Sequence, residues 1–388
     1  MTSEIYLDNN ATTRCDEEVT KEMLPYLNEW YGNPSSSYSF GHERKKDILA
    51  ARKHVADMLN AREEEILFTS CATESNVTAI MSAIRNFPYK RHIITSSVDH
   101  PSVMETMKYL ESTGYDVTYL SVDKAGRIDL KELEGAITDQ TALIAVMMAN
   151  NEIGNVYPVK EIAQIARKHQ VLFHCDAVQA VGKVKIDVKE LGMDTLSISG
   201  HKINAPKGIG CLYVKTGTPY IPLIFGHQQN ERRGGTENVA YIVGLGKAAE
   251  MIICDNYEES ARIGKLRDYL EDKVREKLGD IHIYGDLEHR LPTVSSLAVK
   301  GVDSNEIASG LERYNIFVST GSACMTGGTE ASYILKACGA DVKNYSPMRI
   351  GLGKYNTKEE IDIFVEKLTE IVGEIRINGG VKKQQNRL

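Results

Sequence analysis

With 388 residues the chain is long enough to bury a large core and to divide into two or three domains. A formal net charge of −7, with 42% hydrophobic and 26% charged residues, is ordinary for a soluble globular protein and argues against a dedicated nucleic-acid surface. No apolar run reaches the ~18 residues of a membrane span, the opening stretch lacks the pattern of a signal peptide, and the cysteines show no CxxC or CxxH spacing. A cytoplasmic protein with reduced thiols is therefore expected, with no membrane contact, no disulfide framework and no metal site.

In chain order, residues 5–13 form an extended stretch of small polar residues, and 32–36 (Gly-Asn-Pro-Ser-Ser) a turn. Ile48, Leu49, Val55, Met58 and Leu59 recur at helical spacing and predict an amphipathic helix over about 43–60. A strand over 65–69 runs into Ser70-Cys71-Ala72-Thr73, which opens a helical pattern through 77–84. Strands over 92–96, 116–122, 142–148 and 171–176 then alternate with helices over 101–110 and 162–168. That alternation predicts an α/β fold whose sheet is mostly parallel and covered on both faces. Ligands of such sheets sit beyond the carboxyl ends of the strands. Asp99-His100, Asn150-Asn151 and Asp176 all fall at such ends.

The stretch 199–210, Ser-Gly-His-Lys-Ile-Asn-Ala-Pro-Lys-Gly-Ile-Gly, joins predicted strands over 194–198 and 209–214. A lysine directly after Ser-x-His at a strand end suggests an imine to a carbonyl cofactor, with its phosphate held by adjacent donors. The plainer alternative is a solvated turn lysine beside a structural histidine. After Gly235 the pattern changes. A helical region over 237–278, broken near Asp255, leads to strands over 281–284, 295–299 and 348–352 and helices over 304–314 and 357–376. Thr357 and Glu360 form a capping box before the last helix, and 379–388 is expected to fray. We expect a large domain over 15–255 and a smaller C-terminal α/β domain built from 1–14 and 256–388.

Pyridoxal phosphate would need the imine-forming lysine, an acidic partner for the pyridine nitrogen and donors around the phosphate. Lys202 and Asp176 suit the first two, although an aspartate after a strand is also a common helix cap. Gln179 could donate to the ring hydroxyl, and Ala72 and Thr73, before a helix, suit a phosphate. His100 could stack on the ring and shuttle protons, or merely cap the next helix.

The segments YLDNNATT, GNPSS, SCATESN, DHPSV, ANNEIG, FHCDAVQA, SISGHKINAPKGIG, RRGGTENV, STGSAC and MRIGLGKYNT run in one order through nearly the whole chain. In them the sequence resembles the cysteine desulfurases, class V pyridoxal 5'-phosphate enzymes with an aspartate-aminotransferase-like fold. The resemblance implies conversion of L-cysteine to L-alanine, with the sulfur passed to an enzyme cysteine as a persulfide. By position, Lys202 resembles the Schiff-base lysine, Asp176 the ring-nitrogen partner, Gln179 the ring-hydroxyl donor and His100 the stacking acid–base. Ala72, Thr73, Ser199 and His201 match the phosphate cradle, Asn151 lies at the ring and the substrate carboxylate, and Arg349 matches the carboxylate clamp. Thr236 matches a residue that reaches the phosphate of a neighbouring subunit, which implies a homodimer.

Cys324 matches the persulfide-forming cysteine, within a glycine-containing stretch poor in apolar residues, about 319–335, that predicts a mobile loop. The small buried hydrophobe that a lone cysteine usually is suits Cys211, Cys71 and Cys175 better. Two positions depart from the pattern: Tyr38 stands where a histidine often follows GNPSS, and 325–331 lacks the loop's usual proline. The sulfur would go to an acceptor protein, an iron–sulfur scaffold or a tRNA-thiolation protein; the C-terminus lacks the aromatic ending that housekeeping members use to dock a scaffold. A class V lyase or aminotransferase would share Lys202 and Asp176 without needing Cys324, and a non-enzymatic platform would need none of these residues.

Overall fold

The computed structural model describes residues 4–320 and 332–385, so Cys324 lies outside the described residues. Strand β1 (Ile5–Tyr6) comes first. Seven strands then build the main sheet: β2 (Ile66–Thr69), β3 (His92–Ser96), β4 (Asp116–Leu120), β5 (Thr141–Met147), β6 (Leu172–Asp176), β7 (Thr195–Ser199) and β8 (Gly210–Val214). Their order across the sheet is β2-β8-β7-β6-β5-β3-β4. β4, β3, β5, β6 and β7 pair in parallel, and β8 alone runs against its neighbours β7 and β2. The expected α/β fold with a mostly parallel sheet is what forms. All seven residues of β5 are buried, as a strand covered on both faces requires.

A second, antiparallel sheet follows, from β9 (Ile281–Tyr284), β10 (Val294–Lys300), β12 (Ser319–Thr320) and β13 (Tyr345–Gly351), in the order β12-β13-β10-β9. β11 (Ile316–Phe317) pairs in parallel with β1. Ile5 and Leu7 are thereby drawn into a core with Leu270, Leu297, Ile350 and Phe364, remote in sequence from the opening segment. Among the described residues no helix is long and apolar enough to cross a membrane.

The helices differ from expectation mainly in where they begin and end. The helix expected over 43–60 starts earlier, at Ser39, and ends on Asn60 in the left-handed region. The 237–278 region breaks where expected, just after Asp255, into Val239–Asp255 and Glu258–Leu278, with Asn256 and Tyr257 at φ of 47° and 64°. The last helix, Lys358–Gln385, carries the predicted capping box: Glu360 N–H donates to Thr357 Oγ1 at 3.2 Å and Thr357 N–H to Glu360 Oε2 at 3.2 Å. It continues into the segment expected to fray, where Lys382, Lys383, Gln384 and Gln385 are good helix formers.

Helices Ser39–Leu59 and Val239–Asp255 pack so closely that a Cβ on Gly246 would stand 2.6 Å from both Cα and Cβ of Ala51. Neither backbone can yield without opening the core around Val55 and Leu245. Gly246→Val is therefore expected to lose about 1–3 kcal/mol of unfolding free energy in denaturant titrations. Adding Ala51→Gly should recover part of that loss; no loss in the single variant would mean the helices can separate freely.

Candidate active site

The parallel strands bring their carboxyl ends to one edge of the main sheet, and the turns beyond them enclose a cavity of about 370 Å³. From the main sheet and its turns Ala72, Thr73, His100, Asn151, Asp176 and Gln179 line it, together with Ser199, His201 and Lys202. Arg349 enters from β13 of the second sheet. Of the predicted site residues that the structure describes, only Thr236 is not brought together here. Thr236 is exposed in the segment before helix Val239–Asp255 and does not line the cavity, and Cys324 is not described.

Asp176 ends β6 and is 6% exposed. It does not cap a helix. Its Oδ1 accepts the Val178 N–H at 3.0 Å, and its Oδ2 accepts Asn76 Nδ2 at 2.7 Å. A carboxylate can only accept, so the Asn76 amide must turn its nitrogen to Asp176 and its oxygen to His174 Nε2, 2.9 Å away. His174 therefore donates from Nε2 and accepts from Thr195 Oγ1 at Nδ1, 2.8 Å. Burial pushes this ring's pKa down to about 4, against the pull of the Asp176 carboxylate.

The same Asn76 nitrogen reaches Ser102 Oγ at 2.8 Å, and Ser102 Oγ lies 2.8 Å from His100 Nδ1. His100 is the cap of helix Pro101–Ser112, its Nδ1 accepting the Ser102 N–H at 3.1 Å. The structural and functional readings of this histidine are thus compatible. With Nδ1 committed, the neutral ring carries its proton at Nε2. His100 is exposed where its ring opens onto the cavity, yet the protein packed around the ring still desolvates it. That desolvation lowers its pKa, Asp176 opposes the shift, and the Lys202 ammonium adds to it.

Lys202 follows β7 in a short helical turn, Gly200–Lys202. Its Nζ donates to the carbonyls of Asn10 and Ala11, the latter at 2.7 Å. His201 Nδ1 lies 3.1 Å from Thr12 Oγ1, and burial, then the Lys202 charge, pushes its pKa down to about 4. Gln179 Oε1 accepts from Asn10 Nδ2 at 3.0 Å and from Lys183 Nζ at 3.2 Å, which turns its Nε2 to the Asn10 carbonyl at 3.0 Å. Burial, with the Lys202 charge, brings the Lys183 pKa down to about 7.

Sequence reasoning passed over four residues here: Asn10, Asn76, Lys183 and Asp8, whose Oδ1 accepts from Arg349 Nη2 at 2.7 Å. Asn76 had at most a weak signal, an amide on the buried face of helix Ala72–Asn86, which it shares with the hydroxyls of Ser75, Thr78 and Ser82. Cys71 also differs from expectation. It is half-buried and lines the cavity, whereas Cys175 and Cys211 are buried as expected, with the Cys211 thiol pushed up to about 12 by desolvation.

The family model described as aminotransferase class-V matches residues 5–364. The cysteine desulfurase of Nostoc sp. is 46% identical over 96% of this chain and 94% of its own. The cysteine desulfurase NifS of Azotobacter vinelandii is 42% identical over 96% and 94%. The chain belongs to the cysteine desulfurases of the class-V aminotransferase family. Among solved structures, a NifS-like protein superposes with a TM-score of 0.90 at 38% identity, covering 96% of this chain and 100% of that one. A structure described as SspA in complex with cysteine superposes with 0.80 at 33% identity, over 92% and 100%.

Cysteine desulfurases work with pyridoxal phosphate, and the cavity fits that group. Asn151 Oδ1 and Arg349 Nε are buried there without a partner among the described residues, as groups awaiting a polar ligand would be. At its other end, a Cβ on Gly210 would stand 3.0 Å from Ala72 N and 2.7 Å from the Cys71 carbonyl carbon. Only glycine lets β8 run this close under the helix N-terminus, whose N–H groups favour a phosphate.

His174 makes one consequence measurable. Its folded-state pKa of about 4 lies below the ~6.5 of an unfolded histidine, so acid protonates the unfolded chain first. The stability it contributes is present in full above pH ~6.5 and is lost as the pH falls towards 4, on the order of 3 kcal/mol. Denaturant midpoints across that window should fall for the wild type and fall less for His174→Gln. Parallel curves would show that His174 is not held neutral.

Proposed function

We propose that the protein is a pyridoxal-phosphate-dependent cysteine desulfurase that converts L-cysteine to L-alanine, stores the sulfur on Cys324 as a persulfide and supplies it to an acceptor protein for iron–sulfur cluster assembly. The observation that carries this reading is the single cavity where Lys202, Asp176, Gln179, His100 and Arg349 meet. A fold neighbour solved with cysteine agrees with the substrate.

Lys202 would hold the cofactor covalently, Ala72, Thr73, Ser199 and His201 would take its phosphate, and Gln179 its ring hydroxyl. When bound, the cofactor supplies a protonated pyridine ring that draws electrons from the bonds at the substrate α-carbon. Asp176, fixed by Asn76, keeps the proton on the ring nitrogen. Arg349 and Asn151 orient the substrate carboxylate, for which a guanidinium is well suited. His100, with Nδ1 committed to Ser102, offers its Nε2 proton to the reacting centre. The Cys324 thiolate attacks the substrate sulfur: the carbon–sulfur bond breaks, a sulfur–sulfur bond forms, and the carbon takes up a proton to become the alanine methyl group. The described flanks of the 321–331 stretch support this role. Ser319 pairs with Arg349 across β12 and β13, and Ser332 Oγ donates to Glu152, next to Asn151.

Cys324→Ser keeps the size of the side chain but is a far weaker nucleophile. Incubated with L-cysteine and no reductant, the wild type should gain the mass of one sulfur on the Cys324 peptide and release alanine. The serine variant should show no such mass and at least ~100-fold less alanine. Wild-type alanine production by that variant would replace the desulfurase reading with a lyase one.

Thr236 would reach the cofactor phosphate in the cavity of a second copy, making the enzyme a homodimer. Its exposed position outside its own cavity supports this, as do exposed apolar side chains such as Leu27, Tyr31 (73%) and Phe225 (74%). Light scattering should give twice the 43.1 kDa chain mass, and Thr236→Ala should weaken cofactor retention about tenfold. A monomer that retains the cofactor fully would sink the dimer assignment.

A further inference from the structure

Asp8 belongs to the opening motif but stands outside the residues lining the cavity. Its partner Arg349 is only 7% exposed at the side chain, and Asp8 20%. Arg349 Nη2 donates to Asp8 Oδ1 at 2.7 Å and Nη1 donates to the Asn151 carbonyl at 3.3 Å, while Nε faces no partner among the described residues. Asp8 is not free to leave. It bridges Gly351 in parallel, two residues beyond Arg349 on β13. The Asn9 N–H donates to the Gly351 carbonyl at 3.0 Å, and the Gly351 N–H to the Leu7 carbonyl at 2.7 Å.

A carboxylate ligand arriving at Arg349 thus meets a guanidinium that already shares one edge with a fixed negative charge. Two opposing effects follow. The ion pair holds the guanidinium in place, which favours binding, and it cancels part of the guanidinium charge, which weakens the grip on any second carboxylate. An enzyme whose substrate and product both carry that carboxylate gains nothing from gripping it equally hard in both, because uniform binding slows release without speeding chemistry.

We propose that Asp8 is a positioning residue that sets how tightly the pocket holds the α-carboxylate of substrate and product, by fixing the Arg349 guanidinium and offsetting part of its charge. This rests on the reading of Arg349 as the carboxylate partner.

The test compares L-alanine with ethylamine, which is alanine without its carboxylate, each titrated into holoenzyme and followed by the visible absorbance of the bound cofactor. Asp8→Asn leaves an oxygen to accept from Nη2 but removes the charge. It should tighten alanine binding at least about threefold and leave ethylamine binding unchanged. If the asparagine variant does not fold, Asp8→Ser, which loses both the charge and the fixing contact, should still shift alanine binding and leave ethylamine binding unchanged, and an equal response of the two overturns the proposal. Alanine binding that is unchanged or weaker in the asparagine variant, or an equal change for ethylamine, overturns the proposal. Arg349→Met separates the two readings, since it should abolish most of the preference for alanine over ethylamine. If that preference survives, the assignment of Arg349 itself has failed, and that of Asp8 with it.

Discussion

A buried carboxylate at the end of a central strand has to be given donors, and most of the active-site architecture follows from how Asp176 receives them. Leaving an ionised group buried and unpaired would cost several kcal/mol. The donors come from a backbone N–H two residues on and from Asn76 on the helix that covers the sheet. Committing the Asn76 nitrogen dictates where its oxygen points, hence which nitrogen of His174 carries hydrogen, hence that His174 stays neutral in the core. Through Ser102 the same amide reaches His100. One acceptor-only group thereby sets the orientation of an asparagine and the tautomer of a histidine behind it.

The other side of the cavity is organised by the chain's opening segment. Asp8 holds Arg349, Asn10 holds Gln179, and the carbonyls of Asn10 and Ala11 hold the Lys202 ammonium. Thr13 completes the clasp, its N–H and its hydroxyl both donating to the His201 carbonyl at 2.9 Å. Asn9 faces the opposite way and donates to the Gly351 carbonyl at 2.9 Å and to Asn356 Oδ1 at 3.1 Å. The glycines of Arg349-Ile-Gly-Leu-Gly have their reason here. A Cβ on Gly351 would meet Asn10 Oδ1 at 2.6 Å, and one on Gly353 would meet Asn9 Oδ1 at 2.5 Å.

The parts of this arrangement legible in the sequence are those set by short-range pattern. The continuous apolar run of β5, the alternation of strands with helices, and the fall of Asp176, His100 and Lys202 at strand ends identify the main sheet and its ligand-binding edge. The antiparallel course of β8 has no local signature; it follows from a connection too short to cross back over the sheet. Asp8 and Asn10 escaped for a related reason. Their partners lie 341 and 169 residues away, and a short polar stretch looks the same whether it is solvated or clasped between two sheets. The break after Asp255 was legible to within a residue or two, although nothing local marks Tyr257 for the left-handed φ it adopts.

The two sheets divide the lining of the cavity between them. The groups assigned to the cofactor hang from the main sheet, and the arginine assigned to the substrate hangs from the second. Residues 7–13 are hydrogen-bonded to both, at β13 through Leu7 and Asn9 and at the Lys202 turn through Thr13. A displacement of the second sheet would therefore pull on the Asn10 amide that orients Gln179 and on the carbonyls that receive Lys202. Substrate-side and cofactor-side geometry are thus coupled by backbone, over a few residues, without a chain of side chains between them. Such coupling places the sequence demand on the opening segment, where small polar side chains and close backbone approach matter more than apolar packing.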